Sequence, residues 1–131
     1  MNIEFLHPDG LPKNPAFSQV AVVRDAGRTI YVGGQNAVTQ DGQIVGKDDI
    51  AAQTGQALAN VEVALRGAGV ELANLVKLTI YLVQGHDARQ AFGGAQPFLR
   101  RLNAPPVISV LVVAGLANPD FLVEIEAIAV A

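Results

Sequence analysis

Val123-Glu124-Ile125-Glu126-Ala127-Ile128-Ala129 reads as a buried β-strand that carries two carboxylates. By the period of two, Glu124 and Glu126 share one side of it. An ionised carboxylate among apolar neighbours is costly unless it is paired or hydrogen-bonded. Each glutamate therefore has a partner, sits at an exposed strand edge, or lines a cleft where it does chemistry. A pair at this spacing suits general acid and base work. The competing reading is a structural or peripheral carboxylate. It fits Glu126 better than Glu124, whose company is more apolar.

Outward from this strand the elements fall into a regular order. Ile108 to Ala114 is the strand before it, and the two are split by Gly115 and Asn118-Pro119-Asp120. His86 to Leu102 has a helical apolar face, interrupted by Gly93-Gly94 and stopped by Pro105-Pro106. Leu75 to Val83 is a strand rich in β-formers. Asp48-Asp49 opens the clearest helix: Ile50, Ala57, Leu58, Val61 and Leu65 recur at helical spacing, and Gly67 and Gly69 end it. Ser18 to Arg24 and Thr29 to Val32 are expected to form a hairpin around Asp25-Ala26-Gly27-Arg28. Gly33-Gly34 then lets the backbone bend or be approached closely. Pro8, Pro12 and Pro15 make the first residues irregular. The order is ββαβαββ, an α+β sandwich with both helices on one face of a mixed sheet. The last strands are apolar almost throughout, so helices are expected over one face and another subunit over the other.

With 131 residues the chain makes one domain, spanning 1–131, with a real core. Half of the residues are hydrophobic and 16% are charged, which argues against disorder. The net charge is −3 and the basic residues are scattered, so no nucleic-acid footprint is present. There is no cysteine, and neither His7 nor His86 has a second ligand at metal spacing, so no metal site and no cofactor are expected. No secretory signal is visible and no apolar run reaches membrane length. The expectation is a soluble cytoplasmic protein with no membrane partner. Gly33-Gly34-Gln35-Asn36 lacks the lysine and the spacing of a phosphate loop. The aliphatic surplus suits a homo-oligomer.

Several segments resemble the Rid/YjgF family of enamine/imine deaminases, formerly called L-PSP endoribonucleases. They are Pro15-Ala16-Phe17-Ser18-Gln19-Val20, Val32-Gly33-Gly34-Gln35, the helix from Asp49-Ile50 to Ala68-Gly69, Leu75-Val76-Lys77, and Glu124-Ile125-Glu126-Ala127-Ile128-Ala129. The resemblance implies a chorismate-mutase-like two-layer fold, with a six-stranded mixed sheet and two helices. It also implies a homotrimer with small-molecule clefts between subunits. It places the family's catalytic, water-positioning glutamate at Glu124. Substrate-binding positions fall on Phe17, Gly34, Gln35, Ile108, Ser109 and Val110. Phe17 stands where the family usually has tyrosine, and Val110 where it often has cysteine. Ile108 stands where the family has the arginine that grips the substrate carboxylate.

No aliphatic side chain imitates that bidentate grip. Two functions therefore stay open. One is an enzyme that hydrolyses imines, enamines or related small electrophiles but not ordinary 2-imino acids. The other is a non-catalytic small-molecule-binding or interaction protein on the same scaffold. Arg89, Arg100 and Arg101 are the candidates to replace the missing arginine.

Overall fold

In the computed structural model, residues 2–131 are described and Met1 lies outside them. Six strands and two α-helices follow one another: β1 (Asn2–Leu6), β2 (Val20–Arg24), β3 (Thr29–Gln35), α1 (Ile50–Gly67), β4 (Leu75–Val83), α2 (Ala88–Leu99), β5 (Val107–Val113) and β6 (Val123–Val130). A short 3₁₀ turn, Leu72–Asn74, leads into β4. The sheet is mixed, in the order β3-β6-β4-β5. Only β4 and β5 run parallel, because α2 carries the chain back between them.

Two expectations about the first strands need correction. The six strands do not form one continuous sheet. β1 and β2 make a separate antiparallel ribbon, tied to the main sheet by a single parallel bridge, Ser18 to Val107. Nor do β2 and β3 pair as a hairpin. Gly27 and Arg28 both donate backbone N–H bonds of 2.9 Å to the Ala131 carbonyl, which commits β3 to β6. β2 takes β1 as its partner instead, so Asn2–Leu6 is a strand rather than an irregular start. The prolines at 8, 12 and 15 fall in the connection after it.

The ends of α1 follow local chemistry. Asp49 is the N-cap, its carboxylate accepting from the Ala52 N–H at 3.0 Å. Past the other end, Gly69 adopts φ +77° and donates to Arg66 O, while Val70 donates to Leu65 O. This is a Schellman turn, and glycine suits its left-handed position. α2 is shorter than its apolar pattern predicts: Asp87 caps it, leaving His86 outside and exposed, and Arg100 ends it. Its inner glycine has a steric reason. A Cβ on Gly94 would stand 2.9 Å from the Ala51 carbonyl carbon, so the two helices touch backbone to backbone there.

The core lies between helices and sheet, where Leu58, Val61 and Leu65 of α1 meet Leu78, Val123 and Ile125. Gln53 is wholly buried in it. Its amide donates to Gly46 O and Asp120 O and accepts from Leu122 N, pinning the approaches to α1 and β6 together. On β6 the odd residues from 123 to 129 face the core, and Glu124, Glu126 and Ile128 face the other way. Among the described residues no helix covers that second face.

Candidate functional site

The site begins at an irregularity in β3. Val32 pairs with Ala127 and Gln35 with Ile125, so Gly33 and Gly34 together oppose Glu126. This β-bulge bends the strand toward its partner. It brings Gly34 against the Glu124 carboxyl group: a Cβ at 34 would stand 2.6 Å from Glu124 Cδ. The other side of the carboxylate is held by Asn36, whose Nδ2 donates to Glu124 Oε1 at 3.3 Å and to Val123 O at 3.1 Å. Asn60 on α1 steadies Asn36 in turn, donating to the backbone carbonyls of Asn36 and Val38 at 2.9 Å each. Sequence reading does not single out Asn36, and the one available signal is its place as the second polar residue after the Gly33-Gly34 pair.

Glu126 has a different partner. The Tyr81 hydroxyl donates to Glu126 Oε1 at 2.8 Å. That hydrogen bond holds the Tyr81 phenol above its ordinary pKa, with burial and then the negative charges of Glu126 and Glu124 adding to it. Tyr81 is the register partner of Glu124, so this donor stands beside the second carboxylate as well. Both glutamates of the closing strand thus accept hydrogen bonds, one from an amide and one from a phenol. Lys77, Thr79, Glu126, Tyr31 and Gly33 share a shallow depression of mixed polar and apolar lining on this face.

The remaining site residues divide between the two faces of the sheet. β5 runs in register with β4, pairing Leu78 with Ile108, Thr79 with Ser109 and Ile80 with Val110. Ile108 and Val110 therefore share the helix-covered face with Leu78 and Ile80, whereas Ser109 shares the open face with Thr79 and Glu124. Ile108 and Val110 line a cavity of about 200 Å³ beneath α2, together with Phe17 and Phe92. Phe17 is brought there by its neighbour: buried Ser18 donates from Oγ to Pro105 O at 2.6 Å and from N to Pro106 O at 3.1 Å. Gln35 lies apart from both groups, in a depression with Gln56 and Asn60 beside α1. Its amide donates to Gly33 O at 3.1 Å.

A single chain thus brings Gly34 to Glu124, and Phe17 to Ile108 and Val110. It does not bring the two groups to each other. Glu124 is two strands from β5, about 10 Å at ordinary strand spacing, and it points away from the Ile108 face. Of the candidate replacement arginines, Arg101 is engaged by Glu62 and lies over the Phe98 ring, 5.7 Å from its centroid. Arg89 is exposed in the first turn of α2. Arg100 borders a groove that shares Ala16, Phe92 and Leu99 with the apolar cavity, and it donates to Gln96. None of the three lines the cavity itself. Among the described residues no cluster of His, Cys, Asp or Glu is arranged to hold a metal. No helix among them is long and apolar enough to cross a membrane.

Residues 11–131 match the family model described as Endoribonuclease L-PSP. The chain belongs to that family, the Rid/YjgF proteins. A Rid-family protein from Yersinia pestis, YyfB, superposes with a TM-score of 0.88 at 37% identity, over 100% of both chains. The YjgF gene product of Escherichia coli superposes with a TM-score of 0.71 at 34% identity, over 82% of this chain and 84% of that one. In sequence, the 2-iminobutanoate/2-iminopropanoate deaminase of E. coli K12 is 34% identical over 108 residues, 81% of this chain and 82% of its own length. A RutC family protein of Pasteurella multocida is 33% identical across 95% of both. The fold is therefore that of the Rid proteins, two helices against a mixed sheet.

Proposed function

We propose that this Rid-family protein hydrolyses a small imine, enamine or related electrophile in a cleft completed between copies of the chain, with Glu124 positioning the attacking water. The observation that carries the reading is the clasp on Glu124. A bulge presents Gly34 to one side of the carboxylate and Asn36 holds the other, a fixed rotamer of the kind a water-positioning base needs. In the reaction, a water oxygen bonds to the C=N carbon as Glu124 takes its proton. That proton passes to the nitrogen, which takes the C=N π pair to give a carbinolamine. The carbinolamine's hydroxyl proton then also passes to nitrogen as the C–N bond breaks, leaving a carbonyl and ammonia or an amine.

The need for a second copy rests on the sheet. Glu124 and the Ile108 wall occupy opposite faces, so one ligand meets both only if they come from different subunits. β5 supports this. It is an edge strand of apolar sequence with Val110 55% and Val112 70% exposed, a surface that invites pairing or packing by another chain. The family resemblance supports a homotrimer as that assembly. The deaminase named among its relatives acts on 2-iminobutanoate and 2-iminopropanoate. This chain's substrates differ in lacking the carboxylate, because Ile108 offers no cation to it.

The cavity also favours a second reading, a binding protein without turnover. Its wall is apolar and the one functional carboxylate lies on the other face. Glu124→Gln separates the two. The enzyme reading expects turnover to fall by two or more orders of magnitude with ligand binding intact. Equal rates in both forms, or no turnover by either, leave the binder.

A further inference from the structure

The cavity beneath α2 also says which part of a ligand it takes. It is walled by α2, β4, β5 and the Phe17 loop, and α2 lines it with Ala88, Ala91, Phe92, Ala95 and Leu99. The three alanines leave space that longer side chains would fill, while Gly94 holds the helix in place against Ala51. The space is thus set by backbone packing, and it does not close by the helix settling inward. Thr54 brings the only side-chain polar atom to its wall, and that hydroxyl is already donated to Ile50 O at 2.7 Å. Among the described residues no side-chain cation or free side-chain donor lines it.

We infer that the cavity is a specificity pocket for a compact uncharged hydrocarbon group of the ligand, about the size of a phenyl or isobutyl group. The volume of about 200 Å³ sets the size. The chemistry follows from the wall. Burying an apolar group there is favourable in proportion to the area it removes from water, whereas a carboxylate would lose its hydration with nothing in return. Phe17, Ile80, Leu82, Phe92, Ile108 and Val110 line the space. Where the family keeps an arginine, this chain keeps a hydrocarbon-binding surface. The inference rests on the proposed cleft for the ligand's reacting end, but the pocket itself is tested without turnover.

The test uses the full chain in its solution assembly, with toluene and benzoate as probes followed by NMR of the Ile108 methyls and the Phe17 and Phe92 rings. Toluene is expected to shift these signals saturably and benzoate to leave them unmoved. Ala95→Leu fills the space and should weaken toluene binding at least about tenfold, the loss that goes with about two buried methylenes. Ala91→Val serves the same purpose if the first variant folds poorly. Ile108→Arg should reverse the preference toward benzoate. Toluene that fails to bind, as when a second copy's side chain already plugs the cavity, overturns the inference, and so does binding unaffected by both filling variants. Toluene binding without ammonia release from any imine supports the pocket and removes the hydrolase reading. Ammonia release without toluene binding does the opposite.

Discussion

Replacing Gly34 by alanine separates packing from chemistry at this site. The new Cβ would stand 2.6 Å from Glu124 Cδ and 2.9 Å from Cγ, well inside ordinary contact. Glu124 must then swing away. It gives up the 3.3 Å bond from Asn36, which at that length and partial exposure is worth about 1 kcal/mol. Against this, Gly34 is not among the residues with positive φ, so alanine fits its backbone. The substitution then recovers about 0.4–1 kcal/mol through the unfolded chain. The two terms nearly cancel, and the melting temperature is expected to move by only a few degrees. Turnover should not survive so well. A displacement of about 1 Å in a positioned group costs on the order of 100-fold in rate. Calorimetry for stability, and enzyme-coupled ammonia detection on whichever imine the wild type consumes, give the two readings. A collapse of stability by more than about 3 kcal/mol, or a rate equal to wild type, would refute the reasoning.

Gln53→Leu should cost about 3–5 kcal/mol in urea unfolding, because Leu122 N, Asp120 O and Gly46 O lose a buried partner at once; a loss below about 1 kcal/mol would show that the amide is replaceable. Gly94→Ala should destabilise by at least about 2 kcal/mol by pushing α2 off Ala51. Gly93→Ala, with nothing within 4 Å of its would-be Cβ, should stabilise by about 0.5–1 kcal/mol. In a Tyr31→Phe background, ultraviolet titration should find the Tyr81 phenol ionising above the ordinary tyrosine value of about 10, with Glu126→Gln bringing it down. Because the folded pKa is the raised one, stability from the Tyr81–Glu126 bond is complete below the unfolded phenol's pKa and is lost as pH rises through the folded value. An unshifted midpoint would remove that bond from the account.

Much of this was legible in the residues, for identifiable reasons. α1 carries its cap, its apolar period and its stop in adjacent residues, so Asp49, Leu58, Val61, Leu65 and Gly69 announce it locally. β6 announces itself by alternation, and Gly34 and Glu124, both singled out by the resemblance, stand beside each other. What the sequence hides is non-local. The split of β1–β2 from the main sheet depends on which strand wins the Ala131 carbonyl, and no pattern within β2 or β3 encodes that. Gly94 looks like a weakness of α2 until Ala51 is seen against it. The separation of Ile108 from Glu124 follows from the β4–β5 and β4–β6 registers together, and neither strand reveals it alone. Gln53 and Asn36 are ordinary amides in sequence and become fixed points only through partners 67 and 88 residues away.

On the proposed function, a clasped Glu124 acts on a substrate with no carboxylate grip at Ile108. Ammonia release from a 2-iminopropanoate generator, compared with release from an uncharged imine bearing a phenyl or isobutyl group, tests it most directly. The account expects the wild type to accelerate only the uncharged imine, with Glu124→Gln abolishing that acceleration. Vigorous deamination of 2-iminopropanoate by the wild type would contradict it.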